Sequence, residues 1–112
     1  MASQRTAKVN ELIRREISQI IIKEIEIPEN SLVTISHVET SLDLREAKIR
    51  VSIFPTDQAK IIFKNIYKRI GYLQGLLNRR LNMRPLPRIR FVLDSTEAQA
   101  SQVEDILNKI ES

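Results

Sequence analysis

The sequence predicts an α+β fold, a three-stranded sheet with helices packed on it, in the order α-β-β-α-(kink)-α-β plus a C-terminal helix. Three observations predict it. Isoleucines recur at helical spacing between residues 7 and 24. Two stretches, 32–40 and 47–53, are rich in β-branched residues or strictly alternating. A long helical pattern ending near residue 81 then leads through a proline-rich break into a third alternating stretch. At 112 residues the chain has room for one domain, read as 1–112 with a core of about 5–95 and a C-terminal helix over 96–111.

Val9, Ile13, Ile17, Ile20 and Ile21 lie on one face of the first helix, while Arg14, Arg15, Glu16 and Lys23 fall on others; Pro28 and Asn30 stop it. In the second strand Ala47, Ile49, Val51 and Ile53 alternate with Lys48, Arg50 and Ser52, so one face is buried. Ser41 to Glu46 joins the two strands as an antiparallel hairpin, with Asp43 serving the turn. Pro55 ends the second strand.

Laid out at about 100° per residue, Ile62, Ile66, Ile70, Leu73, Leu77 and Leu81 form one stripe of the central helical region. Lys60, Lys64, Lys68 and Arg79 occupy an arc opposite it. The only two glycines, Gly71 and Gly75, project into that same arc. Glycine inside a helix costs about 1 kcal/mol relative to alanine, so the pair weakens or kinks the helix near its midpoint. Either the absent side chains let a phosphate-sugar backbone approach the main chain, or they make a packing notch or a turn between two shorter helices. Arg84, Pro85, Leu86 and Pro87 break the helix, and Ile89, Phe91 and Leu93 alternate with Arg88 and Arg90 as the third strand. Asp94 or Ser95 caps a last helix with a stripe of Val103, Ile106, Leu107 and Ile110. The expected core contains Ile13, Ile17, Ile20, Ile35, Ile49, Val51, Ile53, Ile62, Ile66, Leu77, Ile89 and Phe91. This element order is also that of a bacterial-type (type II) KH domain.

Charge carries the functional signal. Between Asp57 and Asp94 lie 36 residues without a carboxylate, and 9 of the chain's 18 Lys and Arg fall there, in a protein of net charge +4. Those residues are Lys60, Lys64, Lys68, Arg69, Arg79, Arg80, Arg84, Arg88 and Arg90. A solvated face normally interleaves both signs; a field this one-signed suits nucleic acid. The single histidine, His37, offers no pair for a metal or a dyad, and no P-loop, dinucleotide fingerprint or nucleophile–base pair is present. An enzyme is therefore not expected, nor a cofactor, a metal site or a small-molecule substrate. No cysteine occurs, no apolar run approaches a membrane span, and the first residues lack a secretory pattern. Arg5, Lys8 and Ser3 only faintly suggest a transit peptide before helical periodicity begins, so a cytoplasmic monomer is expected.

The run "RTAKVNELIRREISQIIIKEI", then "VTISHVETSLDLREAKIRVSIF" and "KRIGYLQGLLNRRLNMRPLPRIRFVLD", resembles the ribosome-binding factor A family from Arg5 to about Ile110. The resemblance is carried by the Asp43-Leu44 turn with Ala47-Lys48, by Val51-Ser52, and by Met83-Arg84-x-x-Pro87 leading into Ile89, Phe91 and Asp94. It implies a KH-like fold and a non-catalytic assembly factor that binds the small (30S) ribosomal subunit and its 16S rRNA. Support of late maturation and of 5′-end processing of the precursor, with a role in the cold, belongs to the same expectation. The resemblance also replaces the GxxG loop of ordinary KH domains by a helix kink, usually Ala-x-Gly, which falls here on Arg69-Ile70-Gly71; Gln74 stands where an arginine is common. The rRNA-binding surface is therefore expected at the nine basic residues above together with Gly71 and Gly75. A general KH-type binder of single-stranded RNA is the alternative, but these glycines are three residues apart within a helical pattern.

Overall fold

The computed structural model describes residues 4–84 and 86–94. Three helices, α1 (Gln4–Glu24), α2 (Thr56–Lys68) and α3 (Ile70–Arg80), accompany three strands, β1 (Leu32–Thr40), β2 (Glu46–Phe54) and β3 (Arg88–Leu93). The expected order is reproduced through β3; the C-terminal helix and its cap at Ser95 lie outside the described residues. β1 pairs antiparallel with β2, and β2 pairs parallel with β3, which gives a mixed sheet in the order β1-β2-β3.

The hairpin turn is built as the sequence suggests. Ser41 N–H donates to Glu46 O (2.9 Å), and Leu44 takes a left-handed conformation (φ 61°) while its side chain enters the core. Asp43 Oδ1 accepts from the Ser41 hydroxyl (2.6 Å) and from Arg45 N–H (3.1 Å), and these bonds hold its carboxyl below the usual carboxylate range. Ser36 and His37 form a bulge in β1, since the register passes from Ile35↔Val51 to His37↔Arg50.

One face of the sheet carries the core. Ile35, Val38, Ala47, Ile49, Val51, Ile53, Ile89, Phe91 and Leu93 point into it from the strands, and α1 packs on β1, α2 on β2 and α3 on both β3 and α1. All twelve residues expected in the core are buried. Each fully buried isoleucine contributes roughly 1.5–3 kcal/mol, so the seam of Ile13, Ile17, Ile20 and Ile21 is the main anchor of α1.

The kink falls within the expected Arg69-Ile70-Gly71 segment, at Arg69, where φ −104° and ψ 17° leave the helical region. Arg69 N–H still reaches back to Ile66 O (3.1 Å), and a fresh ladder starts with Leu73 N–H on Arg69 O (2.9 Å). Gly71 and Gly75 both lie within α3 at ordinary negative φ. An ideal Cβ on either meets nothing within 4 Å, so neither is a packing notch.

Candidate nucleic-acid interface

The helix break, the end of α3 and the start of β3 enclose an open groove lined by Tyr67, Ile70, Gly71, Gln74, Asn78, Arg84, Arg88 and Arg90, with Glu46 as its one carboxylate. Its volume of about 1410 Å³ exceeds the roughly 300–1,000 Å³ of small-ligand pockets and fits a polymer lying across a surface. Tyr67 is half-buried, its ring braced by Phe63 with centroids 5.9 Å apart. At the groove's mouth the first N–H groups of α3, those of Ile70, Gly71 and Tyr72, precede the ladder that Leu73 begins, as at any helix N-terminus. Gly71 exposes this main chain without a Cβ.

The candidate residues divide into three groups. Gly71, Arg84, Arg88 and Arg90 line the groove itself. Lys64 and Lys68 are exposed on α2, with Lys64 one turn before Tyr67, while Lys60 is half-buried; Gly75 and Arg79 are exposed on α3. Arg69 and Arg80 turn instead toward α1. Arg80 Nη1 lies 3.3 Å from Glu16 Oε2 and 3.2 Å from Gln19 Oε1, and Arg69 Nη1 donates to the Glu24 carbonyl. Among the described residues, none of Lys64, Lys68, Arg79, Arg84, Arg88 and Arg90 forms an ion pair.

Two further cations emerge only in three dimensions. Parallel pairing sets Lys48 opposite Arg90 and Arg50 opposite Val92 on the sheet face away from the core. The outward alternation of Lys48 and Arg50 is visible in the sequence; their adjacency to β3 is not. Acids lie close on both sides of β2. Glu46 is the partner of Arg88 in the parallel register, Glu39 that of Lys48 in the antiparallel one, and Arg50 lies 3.9 Å from Asp94. A stretch without carboxylates along the chain is thus partly neutralised across strands, and the positive field is least opposed from α2 through the break to Arg84.

Gln74 ties the groove walls together. Its Nε2 donates to Pro87 O (3.2 Å) and to Asn78 Oδ1 (3.0 Å), while its Oε1 accepts from Ile89 N–H (2.7 Å). That N–H faces the free edge of β3, since Arg88 N–H serves the β2 side through Arg45 O (2.8 Å). The glutamine therefore closes a sheet edge that a longer cationic side chain would leave open. Gln74→Ala is expected to lower stability by about 1–2 kcal/mol, because a buried donor loses its acceptor, and chemical denaturation will register it.

Comparison with known proteins agrees with this architecture. The family model described as ribosome-binding factor A matches residues 5–107. Ribosome-binding factor A of Halothermothrix orenii is 31% identical over 111 residues, covering 98% of this chain and 91% of the relative. That of Parasynechococcus marenigrum is 38% identical over 111 residues, covering 96% and 83%. The crystal structure of ribosome-binding factor A from Thermus thermophilus superposes with a TM-score of 0.67 at 25% identity, covering 79% of this chain and 94% of that one. A homology model of the Thermus thermophilus protein, fitted into a cryo-EM map of a 30S complex, aligns at a TM-score of 0.56 and 23% identity, covering 82% and 93%.

Proposed function

Because the chain belongs to the ribosome-binding factor A family, we propose that it binds the small (30S) ribosomal subunit through 16S rRNA, using the groove at the helix break, and assists late maturation of the subunit. The Thermus thermophilus protein fitted into the 30S map supports the choice of partner. The observation that carries the reading is local: Gly71 exposes helix-terminal main chain in a groove that the unpaired Arg84 also lines, and the exposed, unpaired Lys64 and Lys68 stand on the helix that leads into the break. Backbone N–H groups, the positive end of a helix and guanidinium groups all bind phosphate, and none of them reads a base. Specificity then comes from the shape of folded rRNA.

The general single-strand reading is weaker. Ordinary KH domains grip four nucleotides with a GxxG loop, whereas one residue, Arg69, joins α2 to α3 here. The chain works as a monomeric, cytoplasmic binding factor, and 5′-end processing of the precursor follows from its effect on rRNA folding rather than from any cleavage of its own.

Depletion at low temperature, where misfolded RNA persists longest, tests the role. Small-subunit particles carrying unprocessed precursor rRNA are expected to accumulate and to clear when the protein is restored. Normal processing in depleted, cold-grown cells would overturn it.

A further inference from the structure

We infer that Arg69 is a positioning residue: it fixes the helix break against the end of α1, and so holds the groove in its subunit-binding shape, without touching rRNA itself. The inference rests on the subunit-binding reading above. Its chain neighbours Tyr67, Ile70 and Gly71 line the groove and Arg69 does not. Its guanidinium is turned the other way. Nη1 donates to the backbone carbonyl of Glu24, the last residue of α1 and 45 positions distant. That carbonyl belongs to the final turn of α1, where acceptors lack partners along the helix and the dipole is negative. The guanidinium face lies 4.8 Å above the centroid of the Tyr72 ring. The Tyr72 hydroxyl in turn makes a long hydrogen bond to Glu24 Oε2 (3.4 Å).

Packing of α2 on β2 and of α3 on α1 and β3 seats the two helices, but at the break itself a single residue joins them and no side chain caps the start of α3. A planar guanidinium held by a carbonyl at one edge and a ring on one face has few orientations open to it. Arg69, Tyr72 and Glu24 therefore form a clasp from the start of α3 to the end of α1. A small kink residue, of the kind the family resemblance implies, has no guanidinium to make such a clasp, which here uses the charge that at first sight belongs to the RNA surface.

The salt dependence of binding separates the two roles. A residue that neutralises a phosphate contributes about 0.7–0.9 to the log-log slope of affinity against salt, whereas a positioning residue contributes nothing. Purified 30S subunits are titrated with wild-type protein, Arg69→Gln, Tyr72→Leu and the double variant across a salt series, after folding has been verified by circular dichroism. Arg69→Gln and Tyr72→Leu are each expected to weaken binding on the order of tenfold at unchanged slope, and the double variant by less than the product, as for residues acting as one unit. Tyr72→Leu removes no charge, so it tests the clasp even if Arg69→Gln folds poorly. A slope reduced by about 0.7–0.9 in Arg69→Gln, or wild-type affinity in both single variants, would overturn the inference while leaving subunit binding standing. Wild-type protein that does not bind 30S subunits would remove the reading beneath it as well.

Discussion

Reversing three charges, Lys64→Glu, Lys68→Glu and Arg84→Glu, is expected to lower affinity for the small subunit by on the order of a hundredfold or more, with the fold intact. The three side chains are exposed and unpaired among the described residues, so each substitution should shift stability by no more than about 0.5 kcal/mol. Binding is another matter. Each lysine or arginine that meets a phosphate releases a counterion, and a glutamate in its place both forfeits that release and repels the backbone. A matched control separates local contact from overall field. Arg5→Glu, Lys8→Glu and Lys23→Glu change the net charge equally but sit exposed on α1. The control is expected to bind with a modest loss of association rate only. Equal losses in the two triple variants would mean that net charge, rather than the surface at the break, governs docking.

The glycines allow a test in which stability and function move in opposite directions. Gly71→Ala with Gly75→Ala places two methyl groups in open space at ordinary helical φ, so the folded state gains: about 1 kcal/mol at the interior position 75 and less at 71, near the helix start. If rRNA phosphates approach the bare main chain there, the same methyls hold them away. Losing two charge-assisted hydrogen bonds to N–H groups then costs binding on the order of a hundredfold. A double variant that melts higher and binds worse is the expected result, with thermal unfolding and 30S co-sedimentation as the two readouts. A stabilised variant with wild-type affinity would show that nothing comes close to this stretch of backbone.

Much of this is legible in the sequence alone. The isoleucine spacing of α1 and the alternation of β2 each follow from a single local period, and periods are properties of neighbouring residues. The groove's cations were equally visible, because the absence of acids from 58 to 93 is a property of the sequence alone. What could not be read depends on which elements meet. Arg69 and Arg80 turn toward acceptors 45 and 64 positions away, which only the packing of α3 on α1 brings near. The neutralising neighbour Glu46 required the parallel register of β3 on β2, and Glu39 the antiparallel register of β1 on β2. Gln74 carried no signal as an edge clamp, since its partners, Pro87 O and Ile89 N–H, are backbone groups that no side-chain pattern betrays. The glycine pair marked a weak point near the middle of the central helical region, the family resemblance put the kink on Arg69-Ile70-Gly71, and the break is at Arg69. Neither signal shows that the Arg69 guanidinium turns to the Glu24 carbonyl.

Directed cleavage gives the most direct test of docking through the break. The chain contains no cysteine, so Gly71→Cys and Leu42→Cys each create a single attachment point for an iron chelate that generates hydroxyl radicals. Position 71 lies at the groove, and position 42 is exposed in the hairpin turn between β1 and β2. With the tethered proteins bound to 30S subunits, strong, localised cleavage of 16S rRNA is expected from position 71 and weak or no cleavage from position 42. Cleavage from position 42 with none from position 71 would contradict the account.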